Sequence, residues 1–127
     1  MEKQFEIIEK IGQGAFSIVY KAKKHPKFED TDPGKLYALK YVNVDPSNSK
    51  LALQESIFLK KCISCVNIID CYDAFLSDDY KQLVMVNELC VCSLAEIMFL
   101  DDFLKDEQYL ITSFVQCLNG LSFIHKK

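Results

Sequence analysis

The chain contains no arginine; its fifteen strongly basic residues are all lysine, against eighteen Asp and Glu, for a formal net charge of −3. No block of positive charge occurs, which argues against nucleic acid as the main partner, because phosphate backbones are bound by clustered Lys and Arg. The missing arginines carry no functional meaning by themselves. Glycine and proline are sparse, at four and three residues, and no repeat or low-complexity tract is present. That excludes a linker-like chain and leaves ordinary globular material. Long apolar runs are lacking as well. The N-terminus, Met1-Glu2-Lys3-Gln4-Phe5-Glu6, has no signal-peptide core, and no uncharged stretch approaches the length of a membrane span. The expectation is an intracellular chain, cytoplasmic or nuclear, without a membrane or nucleic-acid partner.

Cysteine is the residue in unexpected supply, with six in 127 positions. Cys62-Ile63-Ser64-Cys65 has metal-knuckle spacing and Cys90-Val91-Cys92 follows nearby. A zinc ribbon would need two knuckles with turn-forming residues, and these cysteines lie in apolar runs instead. They are expected to act as small buried hydrophobes, with no metal site. The length suits one small domain or a piece of a larger one.

A glycine-rich turn, Gly12-Gln13-Gly14-Ala15-Phe16-Ser17-Ile18-Val19, precedes Ala38-Leu39-Lys40. Closely spaced glycines let backbone N–H groups approach a polyphosphate, and a lysine on an apolar strand supplies a fixed positive charge. Short-strand patterns run through Phe5, Ile7, Ile8 and Ile11, then Ile18 to Tyr20, then Leu36 to Val44. A polar, turn-rich loop from Lys23 to Lys35 separates the second from the third. Asp45-Pro46-Ser47-Asn48-Ser49 closes the strands and offers helix caps.

The helix expected from about Lys50 to Cys62 carries Leu51, Phe58, Leu59 and Cys62 on one stripe, with Glu55 among them. An ionised carboxylate on a buried face is costly without a partner, and Lys40 is the natural one. The alternative places Glu55 at the stripe's edge, in water. Ile68, Ile69, Cys71 and Phe75 suggest a fourth strand, and Leu83 to Val86 a fifth that ends at Asn87 and Glu88. A short helix begins near Ser93. A long amphipathic helix runs from about Asp106 to His125, with Leu110, Phe114, Leu118, Leu121 and Ile124 on one face.

In this order the parts resemble the eukaryotic protein kinase domain over the whole chain. Gly12, Gly14 and Val19 match its glycine-rich loop, with Ser17 in place of the third glycine. Ala38-Leu39-Lys40 matches the strand lysine motif and Glu55 its helix partner. Val66-Asn67-Ile68-Ile69 is similar to the His-Pro-Asn-Ile turn, with Cys65 in the histidine place. Asn87-Glu88-Leu89-Cys90 is similar to the gatekeeper and hinge, and Gly120-Leu121-Ser122-Phe123-Ile124-His125 to the end of the long C-lobe helix. A dinucleotide-binding loop is the rival for the glycines, but it feeds a helix, whereas Val19-Tyr20-Lys21-Ala22 continues as strand.

The resemblance implies an α+β fold: a five-stranded antiparallel N-lobe sheet with one helix (residues 1–90, including the hinge), followed by a partial helical C-lobe (91–127). It implies ATP as cofactor. Backbone groups from Gly12 to Ser17 would cover the phosphates, and Lys40 would hold them while Glu55 orients it. Ile11, Val19, Ala38 and Leu94 would enclose the base, the backbone of Glu88 and Cys90 would meet its edge, and Asn87 would stand where an apolar side chain or threonine is usual. The helix around Gln54-Glu55 and the Ile124-His125-Lys126-Lys127 ending are more similar to serine/threonine kinases. The catalytic-base segment and the Asp-Phe-Gly metal ligand do not occur in residues 1–127. No catalytic residue is therefore assigned, Mg2+ is expected only in a complete domain, and residues 1–127 alone are expected to be inactive. The second reading is a truncated kinase-like binding module. The apolar face of the 106–125 helix is expected to be covered either by further chain or by a protein partner or second copy, and a complete domain would take a protein substrate.

Overall fold

The computed structural model describes residues 2–28, 32–99 and 106–127. The middle of the expected Lys23–Lys35 loop lies outside these residues. Five strands form one antiparallel sheet: β1 (Phe5–Gln13), β2 (Ser17–Lys24), β3 (Leu36–Asn43), β4 (Cys71–Leu76) and β5 (Gln82–Glu88). Their spatial order is β1-β2-β3-β5-β4, which leaves β1 and β4 as edges. Among the described residues three α-helices accompany them: α1 (Ser49–Lys61), α2 (Leu94–Met98) and α3 (Glu107–His125).

Register decides what each face of the sheet does, because residues directly opposite in an antiparallel pair share a face. Tyr20 pairs with Leu39, Ala22 with Tyr37, and Tyr41 with Val84. This face holds a core of Ala22, Tyr37, Leu39, Tyr41, Val84 and Val86, flanked by Phe5, Tyr20 and Phe75. Two ring pairs on it meet edge to face, Phe5–Tyr37 at 5.6 Å and Tyr20–Tyr41 at 5.5 Å between centroids, while Phe5 and Phe75 stack. The opposite face pairs Val19 with Lys40, Lys21 with Ala38, Lys40 with Met85, and Ala38 with Asn87. There α1 packs on β4 and β5. A second core, Val42, Ala52, Cys71, Leu83 and Met85, fills the space between them.

Half of the expected helix stripe is corrected here: Leu59 packs against the second core and Cys62 is buried, as expected, but the other two positions are not. Leu51 and Phe58 are exposed at 68% and 49%, while the inward positions of α1 are Ala52 and Ser56. Small residues let the helix lie close to the sheet, and the buried Ser56 hydroxyl is satisfied by donating to the Leu53 carbonyl at 2.8 Å. The expected caps shift as well. Asn48 holds the cap position of α1 without a side-chain cap bond. Instead Asp45 Oδ1 accepts from the Ser47 and Asn48 N–H groups at 2.8 and 3.1 Å, closing the turn one step earlier.

The fourth strand starts at Cys71, so Ile68 and Ile69 lie in the turn before it. Ile68 N–H donates to the Cys65 carbonyl at 3.2 Å, and the Glu88 carboxylate accepts from Asp70 N–H at 3.2 Å, which holds this turn beside the end of β5. Three cysteines, Cys62, Cys65 and Cys71, are buried as expected; Cys90, Cys92 and Cys117 are exposed, and all six are free.

Two kinks shape β1. Ile7 pairs with Ala22 but Glu9 with Lys21, and Lys10 pairs with Tyr20 but Gly12 with Val19. Ile8 and Ile11 are therefore extra residues, and each bulge bends the strand and increases its twist. The end helices are capped as their sequences suggest. Ser93 Oγ accepts from Glu96 N–H at 3.1 Å, and Asp106 Oδ1 accepts from Gln108 N–H at 3.0 Å.

Candidate functional site

A cleft of about 690 Å³ opens under β1 and β2, at the junction with the segment leading to α2. Ile11, Gly12, Val19 and Ala38 line its sheet side, and Glu88 and Cys90 line the connecting segment. These are six of the residues that the sequence put together. The bulge at Ile11 restores parity, so that Gly12 shares the cleft face with Val19. A Cβ on Gly12 would stand 3.8 Å from Val19 Cβ, at ordinary contact distance. Neither Gly12 nor Gly14 has a positive φ. Their contribution is a bare backbone, open to close approach, and no left-handed turn is required of them. The loop tip is held by Gly14 N–H donating to the Ser17 carbonyl at 2.8 Å and by Asn43 N–H donating to the Phe16 carbonyl at 3.1 Å.

Lys40 and Glu55 stand beside this cleft, Lys40 on the same sheet face as Val19 and Ala38. Lys40 Nζ donates to Glu55 Oε1 at 2.8 Å. Both readings of Glu55 are thus partly met: it pairs with Lys40, and its side chain is still 42% exposed, against 27% for Lys40. Such a solvated pair contributes at most about 1 kcal/mol to stability. Its consequence is geometric, because it fixes the ammonium at the junction of β3 and α1.

Gly14, Ser17, Lys40, Glu55, Asn87 and Leu94 do not line the cleft itself. Near Leu94, Ser93 caps α2, and Ser93 and Glu96 line the cleft from this end. Sequence reasoning also missed Ile69, which enters from the turn before β4, Glu9, whose place depends on the β1 register, and Lys21, two residues beyond Val19 on the same face of β2. Lys21 Nζ lies 3.9 Å from Glu9 Oε1. Leu89, Val91 and Cys92 complete the wall. The lining therefore carries three acidic residues, Glu9, Glu88 and Glu96, with Lys21 set against Glu9, and Lys40 stands as a second cation beside it. Burial, the Glu88 carboxylate and neighbouring Cys92 push the Cys90 thiol above its ordinary range, so it stays protonated and weakly nucleophilic.

This arrangement can take a flat apolar ring between Val19 and Ala38, offer hydrogen bonds at the ring's edge, and meet negative charge at Lys40. The described residues do not fit a metal site: no group of three or more His, Cys, Asp or Glu among them could hold an ion. No helix among them is long and apolar enough to cross a membrane.

An antiparallel five-stranded sheet, with one helix across it and a lysine–glutamate pair between the two, defines the protein-kinase type of N-terminal lobe. The protein kinase domain model matches residues 5–127. The chain belongs to that family. It is 31% identical over 123 residues to the serine/threonine-protein kinase CLA4 of Candida albicans, covering 97% of this chain and 12% of the relative. The serine/threonine-protein kinase pakE of Dictyostelium discoideum is 28% identical over 127 residues, with 100% and 13% covered. The human mitogen-activated protein kinase kinase kinase kinase 3 is 28% identical over 127 residues, with 99% and 13% covered. The chain thus spans about an eighth of the length of these relatives.

Proposed function

We propose that this chain is the ATP-binding part of a protein serine/threonine kinase, residues 1–90 forming the N-lobe and hinge and residues 91–127 the start of the helical lobe. The observation that carries the reading is the 2.8 Å Lys40–Glu55 contact beside a cleft bordered by Ile11, Val19 and Ala38. ATP would supply the transferable γ-phosphoryl group. Val19 and Ala38 press on the base, and the backbone of Glu88 and Cys90 offers hydrogen-bond partners at its edge. The bare backbone from Gly12 to Ser17 faces the phosphates, and Lys40, oriented by Glu55, neutralises them. Positioning and charge stabilisation are most of what a protein contributes to this reaction. Magnesium ligands and the catalytic base would come from chain beyond these residues. Residues 1–127 alone then bind ATP without transferring phosphate, and a complete domain acts on protein hydroxyls. Six free thiols fit the reducing, intracellular setting of this reading.

Equilibrium titration of the chain with ATP tests the proposal. Lys40→Met removes a charge-assisted hydrogen bond and is expected to weaken binding about ten- to a hundredfold. Equal affinity of the variant and the wild type would sink the reading.

A second reading rests on α3, where Phe114, Leu118, Leu121 and Ile124 are 38–64% exposed. A contiguous apolar face of this kind marks an interaction surface. On this reading the chain is a binding module whose α3 meets another protein, with ATP binding dispensable.

A further inference from the structure

The six free cysteines do not share one setting. Cys62 and Cys65 close a turn in the interior and are 2% and 9% exposed. Cys71 is buried beside them in sequence, and its thiol donates to the Asp73 carbonyl at 3.4 Å. Cys117 is exposed, with no second cysteine on α3. Cys90 and Cys92 differ from all of these, because both are exposed and both line the cleft.

Val91 alone separates them, and at 103% exposure nothing packs over this stretch. The chain also bends at Val91. Residues two apart have Cα atoms no more than about 7 Å from each other, and a bend shortens that span. Rotation about χ1 then brings both sulfurs within reach of one atom. The two groups already influence each other: after burial and Glu88, Cys92 is the third cause that holds the Cys90 thiol up.

Two thiols define a ligand by the valences they satisfy. A structural zinc takes four donors, and no group of three or more His, Cys, Asp or Glu among the described residues could hold a metal ion. A trivalent arsenic that already carries one carbon has two valences left, and as a soft centre it prefers sulfur. We infer that Cys90 and Cys92 act together as a dithiol site for a trivalent organoarsenical, seated on the cleft wall where it excludes a nucleotide. The exclusion rests on the nucleotide reading given above; the dithiol does not.

With an aryl arsenoxide the step is a condensation. Two S–H bonds and the arsenic–oxygen double bond break, two As–S bonds form, and the oxygen leaves with both hydrogens as water. Arsenic stays trivalent, so no oxidant or reductant takes part. The thiols enter protonated and no proton is released, whereas alkylation proceeds through the thiolate. Cys90, held protonated, therefore resists a simple alkylating agent and still closes the arsenic ring. Chelation supplies the affinity, because the second As–S bond forms within one molecule.

The test adds one equivalent of phenylarsine oxide to the reduced chain in excess glutathione, and locates the arsenic by intact mass and peptide mapping. The wild type is expected to hold one phenylarsenic unit across Cys90 and Cys92 and to release it to a small dithiol. Cys90→Ser and Cys92→Ser are each expected to weaken retention at least about a hundredfold, and Cys117→Ser to leave it unchanged. Arsenic on Cys62 and Cys65, or a Cys90→Ser or Cys92→Ser chain that retains it as tightly as the wild type, overturns the inference. Loss of the arsenic to glutathione from the wild type overturns it as well. The loaded chain is then titrated with ATP and is expected not to bind. Undiminished ATP affinity after loading overturns the exclusion and leaves the dithiol site standing. Failure of the unloaded wild type to bind ATP removes the nucleotide reading and the exclusion together, while the mapping still decides the dithiol.

Discussion

The sheet and α3 are both rich in large apolar side chains, yet they use them differently. In the sheet, Leu39, Val84, Met85 and Val86 are no more than 2% exposed, closed in by neighbouring strands, aromatic rings or α1. In α3 only Gly120 is buried among the described residues, while Phe114, Val115 and Leu118 are 46–64% exposed. The sheet half completes its own cores, whereas the helix leaves its apolar face open among the described residues. Burial per residue, more than apolar content, is what separates the two.

The largest test of that contrast is a matched pair of truncations. Leu39→Ala should cost about 2–5 kcal/mol in denaturant unfolding, because it leaves a cavity between strands. Leu118→Ala should stay within about 0.5 kcal/mol, as an exposed position does. Equal losses would mean that α3 already has its partner surface and would erase the distinction.

A smaller effect is expected where the two regions touch. A Cβ placed on Gly120 would lie 3.0 Å from the Asn67 carbonyl oxygen and 3.5 Å from its Cβ. Gly120→Val forces atoms into that contact and should cost about 1–3 kcal/mol of docking. Hydrogen exchange should then speed up across residues 107–125 and remain slow in β3 and β5. Uniform acceleration in both regions would show that they unfold as one unit.

The smallest effect falls on the segment joining them. Glu88 is among the groups that hold the Cys90 thiol above its usual range, burial being the larger cause. A neighbouring negative charge disfavours the thiolate, so removing it lowers the thiol pKa. Glu88→Gln should shift the pH profile of Cys90 alkylation to lower pH, with faster labelling near neutrality. Peptide mapping reads this directly, and an unmoved profile would leave burial and Cys92 as the causes.

The same contrast explains what was legible beforehand. Strand and helix patterns through β2, β3, β5 and α3 follow from alternation and helical spacing, which local sequence carries in full. The Lys40–Glu55 pair was legible because two charged groups in apolar settings each needed a partner. The inward face of α1 was not, since hydrophobicity points to Leu51 and Phe58, while close packing on the sheet selects Ala52 and Ser56. Ile69 and Glu96 escaped because a turn and a short helix bring them to the cleft, and neither is written in periodicity, whereas Lys21 follows from alternation after Val19 and was passed over. Asn87 was visible as an odd residue, but its buried, unpaired amide oxygen depends on neighbours supplied by two other strands.

The kinks in β1 have a consequence beyond the cleft they roof. β1 is an edge strand of nine residues, and Ile7, Ile8 and Ile11 on it are 44–47% exposed. A straight strand of that composition would be an open template for another chain to add to, the first step of edge-to-edge aggregation. Two bulges break its row of free N–H and C=O groups into short, misaligned pieces, and Glu6, Glu9 and Lys10 set charges along it. The shape that bends the strand over the cleft also blunts the lobe's border against pairing with another chain.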